Sequence, residues 1–179
     1  YRFILYPASA ILFLAFTRSK WQQWHNKKLW LAFAIATIGL APIIWFNLQH
    51  DLSSASFYFV DRHPWKCQAS GLLHGIKQAG LVTPPLYAML VYTLIYLFKK
   101  ARAGDVSSSF LFCFSATHLL VYLLLAPWSD GNSTSIHWPL SGYFPLLIAL
   151  PDTLRKAANY AGDTWHAAAK PLIFAGIPL

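Results

Sequence analysis

The sequence predicts an all-α, polytopic transmembrane helical bundle with about five spans and the beginning of a sixth. Three observations support this class. The 179-residue chain is 56% hydrophobic and only 11% charged, which leaves little polar surface to cover one soluble core. Its apolar residues form repeated runs near the length that crosses hydrocarbon as a helix. Its basic residues fall in alternate loops. A soluble multi-helix core is the alternative, but repeated charge-free runs of this length are uncommon outside membranes.

Five apolar segments follow one another along the chain. The predicted spans lie near residues 3–16, 29–46, 72–98, 110–126 and 136–151, and the apolar stretch 171–179 resembles the start of a sixth. Because the chain begins inside one apolar run and ends inside another, we expect residues 1–179 to be one transmembrane domain that is a fragment of a longer protein.

The basic residues predict the orientation. The loops after the first, third and fifth spans hold Arg18, Lys20, Lys27, Lys28, Lys99, Lys100, Arg102, Arg155, Lys156 and Lys170. The positive-inside rule places these loops in the cytoplasm and leaves 47–71 and 127–137 as outward loops. The formal charge of +8 follows from this topology. We expect no nucleic-acid partner, because the basic residues alternate with apolar runs instead of gathering on one polar face.

The two cysteines predict neither a disulfide nor a zinc framework. Cys67 falls in a loop and Cys113 within an apolar run, so the two occupy different environments. We predict no metal site from the residues alone.

A polar cluster is predicted at the outer headgroup level, at the start of the third span. His74, Lys77 and Gln78 are spaced three or four residues apart, so they share a helical face, and Lys77 offers a positive charge to a phosphate. A snorkelling lysine with two polar neighbours is the alternative. The sequence Thr83-Pro84-Pro85 then predicts a kink or a broken first turn within the span.

A second cluster lies at the start of the fifth span, in the sequence HWPLSGYFP at 137–145. His137, Trp138 and Tyr143 combine a titratable ring, stacking faces and a hydroxyl, which is typical of a carbohydrate or headgroup site. An aromatic belt at the membrane interface explains the same residues. Midway along the fourth span, His118 is either a functional group or a neutral imidazole bonded to a neighbouring helix.

The first outward loop is the richest in polar side chains. It holds His50, Asp51, Arg62 and Lys66 among aromatic residues. Arg62 can bind a phosphate with two parallel hydrogen bonds. Ordinary solvation explains each of these residues singly, but their mixture with aromatic rings favours a pocket.

Three stretches resemble one family. They are APIIWFNLQHDLSSASFYF at 41–59, KQAGLVTPPLY at 77–87 and HWPLSGYFPLL at 137–147. They are similar, in the same order, to segments of bacterial relatives of the dolichyl-phosphate-mannose protein mannosyltransferases, of the C-type glycosyltransferase superfamily. One departure is Phe46, which separates Trp45 from Asn47.

The resemblance implies an integral-membrane, polyprenyl-phosphate-sugar-dependent glycosyltransferase in a bacterial inner (plasma) membrane, with its active site facing outward. Its partners would be a polyprenyl-phosphate-linked sugar and an acceptor lipid, glycan or protein. The family's catalytic carboxylate lies in its first outward loop, so we expect it upstream of this chain. No cofactor is certain, and a divalent metal ion remains open.

Such a reaction needs cationic groups to stabilise the leaving phosphate. For lipid-phosphate binding we assign Arg62, Lys66 and Lys77. For contacts with the sugar or the acceptor we assign His50, Asp51, Gln78, His137, Trp138 and Tyr143. A transporter or flippase of lipid-linked sugars, or a structural membrane subunit, are the alternatives.

Overall fold

The structure is a computed structural model, and it describes residues 2–57, 60, 66–128 and 137–161. Within these residues it contains helices and turns and no strand, so the all-α class is confirmed for this part of the chain. The helices are α1 (Leu5–Phe16), α2 (Lys27–Ile38), α3 (Ala41–Gln49), α4 (Ser53–Ser56), α5 (Ala69–Leu72), α6 (His74–Val82), α7 (Pro84–Arg102), α8 (Val106–Leu125) and α9 (Leu140–Ala161). Short 3₁₀ turns cover Arg2–Ile4, Arg18–His25 and Ala126–Trp128.

Helix α8 is the centre of the bundle, and α1, α7 and α9 pack around it. Ring contacts set the direction of α1: Tyr6 lies against His118 at 4.9 Å between centroids, whereas Phe13 lies against Phe110 at 5.5 Å. Since residue numbers increase along α1 in the direction in which they decrease along α8, the two helices are antiparallel. Small side chains on α8 permit the close packing, with Cys113, Ser115 and Ala116 buried.

Helices α7 and α9 also pack against each other and share the apolar core. Leu90 and Leu97 of α7 meet Leu146 and Ala149 of α9 in this cluster. One polar contact crosses the same interface: the hydroxyl oxygens of Thr93 and Thr153 lie 2.8 Å apart, and both side chains are fully buried. Each hydroxyl also lies within hydrogen-bond distance of a backbone carbonyl of its own helix, so burial leaves neither without a partner.

Among the described residues, two helices are long and apolar enough to cross a membrane, which indicates a membrane protein. They are Lys27–Gln49, formed by α2 and α3, and Val106–Trp128. A third candidate is the pair α6 and α7, which is bent by 114° and is therefore a broken span or a re-entrant loop. The predicted kink at Thr83-Pro84-Pro85 is confirmed, because the bend lies at Thr83.

The prediction of five spans is not confirmed. Helix α1 has only 12 residues, about 18 Å at 1.5 Å per residue, which is short of a hydrocarbon core of about 30 Å. Helix α9 begins at Leu140, not at 136, and its second half holds Asp152, Arg155 and Lys156. The predicted spans 3–16 and 136–151 therefore do not appear among the helices that could cross a membrane.

The helix Lys27–Gln49 has little contact with the rest of the bundle. None of the residues in its most apolar 18-residue window is buried, and large side chains such as Trp30, Ile38 and Trp45 are more than half exposed. An apolar helix exposed on all sides is stable in lipid and costly in water.

Helix α8 begins with a side-chain cap. Asp105 accepts a hydrogen bond from the backbone N–H of Ser108 at 3.1 Å and another from the Ser108 hydroxyl. The hydrogen bond from the Ser108 side chain is the largest cause that lowers the pKa of the Asp105 carboxyl. The carboxylate therefore stays ionised and holds the first turn of α8.

The bundle has one basic end. Phe112, near the start of α8, contacts both Phe16 and Phe98, so the last turns of α1 and α7 lie together there. Arg18, Lys99 and Lys100 follow these positions in sequence. We call this region the basic end, and we call the region around the last turn of α8 the opposite end.

Candidate binding cleft

A partly open cavity of about 180 Å³ lies between α6, α7, α8 and α9. We call it the cleft. Its polar lining residues are His74 and Gln78 of α6, Tyr87 of α7 and Tyr143 of α9. The remainder of the lining is apolar apart from backbone atoms, and it comprises Gly75, Leu90, Val91, Leu94, Leu119, Leu120, Leu123, Pro139 and Leu146. The cleft is therefore amphipathic, a common property of sites for ligands with a polar head and an apolar tail.

The polar residues lie toward the opposite end of the bundle. Along α7, Tyr87 precedes Leu90 and Leu94, which line the cleft closer to the basic end. Along α9, Tyr143 precedes Leu146 in the same direction. The four polar residues therefore lie in the half of the cleft away from the basic end, where Leu120, Leu123 and Pro139 also line it.

A buried hydrogen bond connects α6 to α9 in the cleft. The Tyr143 hydroxyl donates to Oε1 of Gln78 at 3.0 Å, and the two side chains are 5% and 2% exposed. On the other side, Nε2 of Gln78 lies 3.4 Å from Nε2 of His74. If Gln78 donates across that distance, the neutral His74 ring holds its proton on Nδ1. The side chains of His74, Gln78 and Tyr143 thus form a connected polar group within a largely apolar wall.

The break at Thr83 brings α6 to this position. Thr83 has φ 74° and ψ 134°, a left-handed backbone that no helix interior adopts. Pro84 and Pro85 then occupy the first positions of α7, where the missing proline N–H costs no helical hydrogen bond. Because the chain turns by 114° here, α6 folds back against the first turns of α7.

The segment before α6 is held by a close backbone contact. The N–H of Gln68 donates to the carbonyl of Pro127 at 2.7 Å, and the backbone of Gly71 packs directly on Ala126. A Cβ atom on Gly71 would lie 2.3 Å from the Ala126 carbonyl oxygen. Only glycine permits this approach, and the contact ties α5 to the last turn of α8.

A second close approach positions the start of α9. The Ser115 hydroxyl donates to the carbonyl of Gly142, and a Cβ on Gly142 would lie 2.8 Å from Cγ of Leu119. Gly142 precedes Tyr143 directly, so the tight contact between α8 and α9 fixes the tyrosine whose hydroxyl reaches Gln78.

The structure brings together some of the residues that the sequence assigned to a site. Gln78 and Tyr143 line the cleft. Trp138 is half-buried, and its ring lies 5.8 Å from that of Tyr122 near the same end of α8. His137 is exposed beside it. Lys77 is exposed on α6, three residues after the lining residue His74, and does not itself line the cleft.

Other assigned residues lie elsewhere. His50 stacks on Phe46 at 4.2 Å and its Nδ1 lies 2.9 Å from the Phe46 carbonyl oxygen. Asp51 is exposed in a left-handed turn with φ 48°. Neither residue lines the cleft. Lys66 is exposed before α5, and Arg62 lies outside the described residues.

Asn47 stabilises the turn that follows α3, a structural role that was not predicted from the sequence. Its Nδ2 donates to the Ile43 carbonyl at 2.8 Å, and its Oδ1 accepts from the Ala55 N–H at 2.9 Å. The side chain is only 6% exposed. Asparagine commonly bonds to nearby backbone in turns, but the partner eight residues away is not evident from the sequence.

Two further polar residues differ from expectation. Tyr87 of α7 lines the cleft and was not predicted as a site residue, because its contact with the cleft depends on the fold-back of α6. His118 bonds through Nδ1 to the Phe114 carbonyl of its own helix at 2.8 Å, and its Nε2 has no hydrogen-bond partner among the described residues, so the expected hydrogen bond to a neighbouring helix is not seen there. Its contact with another helix is the ring of Tyr6.

Within the described ranges, no three His, Cys, Asp or Glu side chains come together as a set of metal ligands. Cys67 is exposed and Cys113 is buried, and both are free thiols. The chain matches no protein-family model, and searches of curated proteins and of solved structures found no significant similarity to it.

Proposed function

We propose that this protein is an integral-membrane glycosyltransferase that moves a sugar from a polyprenyl-phosphate carrier to an acceptor lipid, glycan or protein. The observation that favours this function is the amphipathic cleft, in which a few hydrogen-bonding side chains lie within an otherwise apolar lining. A polyprenyl-phosphate sugar likewise combines an apolar chain with a polar head.

The orientation follows from the charges. With the basic end in the cytoplasm of a bacterial inner membrane, as the positive-inside rule requires, the polar part of the cleft faces outward. The sugar and its acceptor then meet at the opposite end of the bundle, beside Trp138 and the exposed Lys77.

The chemistry divides into donor binding and activation of the acceptor. As the acceptor hydroxyl attacks the anomeric carbon, the bond from that carbon to the phosphate oxygen breaks and negative charge develops on the phosphate. Lys77 stabilises that charge, together with Lys66 and Arg62 from the preceding outward loop. Gln78 and Tyr143 orient the polar head of the donor.

A general base must accept the proton of the attacking hydroxyl. The described lining of the cleft includes no carboxylate, and Asp51 is exposed at the end of α3. We therefore assign donor binding to the cleft and place the catalytic carboxylate outside its described lining. A divalent metal ion is not required by the donor contacts proposed here.

Replacing Lys77 with alanine tests the proposal. In proteoliposomes of the full-length protein, sugar transfer from polyprenyl-phosphate mannose is expected to fall about tenfold to a hundredfold, the effect of losing a charge-assisted hydrogen bond. The matched control is Lys28→Ala, which removes the same charge at the basic end and should leave transfer unchanged.

Two results would overturn the proposal. One is a wild-type protein that flips the sugar carrier across the bilayer without releasing polyprenyl phosphate, which would identify a flippase. The other is equal transfer by the Lys77→Ala and Lys28→Ala variants at equal membrane insertion.

A further inference from the structure

Two lysines from different helices converge on one tyrosine at the basic end. The Nζ atom of Lys156, on α9, lies 4.7 Å from the ring centroid of Tyr96 on α7. The Nζ atom of Lys100, near the end of α7, lies 5.5 Å from the same centroid. Both distances are within the range of a cation–π contact. The two ammonium groups are thus at most roughly 10 Å apart, close to the screening length of about 8 Å at physiological salt.

These charges are only partly neutralised. Across the part of the chain that the structure describes, the salt bridge is Lys100 with Asp105 at 3.9 Å. The carboxylate of Asp105 already accepts two hydrogen bonds from Ser108, and 3.9 Å is too long for a hydrogen bond. Lys156 forms no salt bridge within 4 Å among those same residues, and the acidic residue nearest to it along α9 is Asp152, one helical turn earlier. An anion between α7 and α9 would relieve the repulsion between the two lysines.

The aromatic residues nearby are of the type found at membrane interfaces. The 3₁₀ turn Arg18–His25 follows α1 at the basic end and holds Trp21 and Trp24. The indole N–H of Trp21 donates to the Ala15 carbonyl at 3.1 Å, which caps the polar end of α1 with an aromatic ring. Tryptophans at the ends of membrane helices lie at the level of lipid headgroups. The phosphates of the bilayer are at the same level.

We propose that Lys100, Lys156 and Tyr96 form a binding site for the phosphate group of an anionic membrane lipid, in the groove between α7 and α9. The lysines contact the phosphate oxygens, and the ring of Tyr96 packs beneath them as a floor that keeps the two side chains in place. Basic pockets between membrane helices on the cytoplasmic side are suited to anionic headgroups. The site is separate from the cleft and does not depend on the glycosyltransferase proposal.

The test compares lipids on the purified full-length protein. Native mass spectrometry with short-chain phosphatidylglycerol and phosphatidylcholine should show tighter binding of the anionic lipid. The variant Lys100→Ala/Lys156→Ala should lose that preference, with phosphatidylglycerol binding weakened about fivefold for each lysine removed. The control Lys27→Ala/Lys28→Ala removes two positive charges from the same end and should keep the preference. Lys100→Arg/Lys156→Arg keeps both charges and should also retain it, which separates loss of charge from loss of folding.

Several outcomes would overturn the proposal. A wild type that binds both lipids equally has no such site. Equal losses in the two double-alanine variants would mean that net charge alone attracts the lipid. Displacement of phosphatidylglycerol by millimolar inorganic phosphate would assign the groove to a soluble anion instead of a lipid.

Discussion

Replacing Gly71 with alanine is expected to lower the free energy of unfolding by about 1–3 kcal/mol, the usual cost of overpacking. The new Cβ would lie 2.3 Å from the Ala126 carbonyl oxygen and 2.5 Å from Cα of Pro127. Both atoms belong to the backbone, so no side-chain rotation relieves the clash. The hydrogen bond from Gln68 to Pro127 lengthens as the two segments separate, and α6 then moves away from the cleft.

Gly80 provides the matched control. A Cβ on Gly80 meets no atom within 4 Å, and alanine is the better helix former by about 1 kcal/mol. We therefore expect the free energy of unfolding of Gly80→Ala to equal that of the wild type or to be slightly higher. The measurement is chemical unfolding of the purified protein in mixed micelles. Equal stability of the two alanine variants would show that Gly71 does not pack against Ala126.

Replacing Gln78 with leucine is expected to reduce sugar transfer about tenfold or more and to destabilise the protein by about 1–3 kcal/mol, the cost of a buried polar group without its partner. In the wild type the Tyr143 hydroxyl donates a hydrogen bond to Gln78 at 3.0 Å. In the leucine variant this hydroxyl loses that acceptor and faces an apolar wall. It also removes an amide from the polar part of the cleft. Transfer and unfolding are measured on the same full-length preparations.

A double-mutant cycle separates the hydrogen bond from the other contacts of Gln78. Tyr143→Phe removes the donor, and the combination with Gln78→Leu should cost less stability than the two single changes added, because both partners are then apolar. Tyr92→Phe is the control for loss of a hydroxyl, since Tyr92 is 45% exposed on α7. Additive effects in the cycle would contradict the Gln78–Tyr143 bond.

Local features of the fold could be predicted from the sequence. The proline pair after Thr83 predicted the break between α6 and α7, because proline has no N–H and restricts the residue before it. The spacing of His74 and Gln78 predicted a shared helical face. The alternation of basic residues predicted that Arg18 and Lys99 would lie at the same end, and the ring contacts of Phe112 with Phe16 and Phe98 support it.

The long-range contacts could not be predicted. Gln78 and Tyr143 are 65 residues apart in sequence, and they meet because α6 folds back while Gly142 lets α9 approach α8. The hydropathy of a segment depends on its composition and does not predict where the chain turns back. For the same reason the sequence predicts one continuous span at 72–98. The spans predicted at 3–16 and 136–151 are not confirmed, because α1 is short and the second half of α9 holds three charged residues.

Photo-crosslinking of the donor tests the central claim most directly. A polyprenyl-phosphate sugar with a photoreactive group on the isoprenoid next to the phosphate is irradiated with the full-length protein, and the labelled peptides are sequenced. The account predicts labels on α6 and on the first turns of α7 and α9, which excess unlabelled polyprenyl phosphate removes. Labels confined to the exposed helix Lys27–Gln49, or labels that the competitor does not reduce, would contradict it.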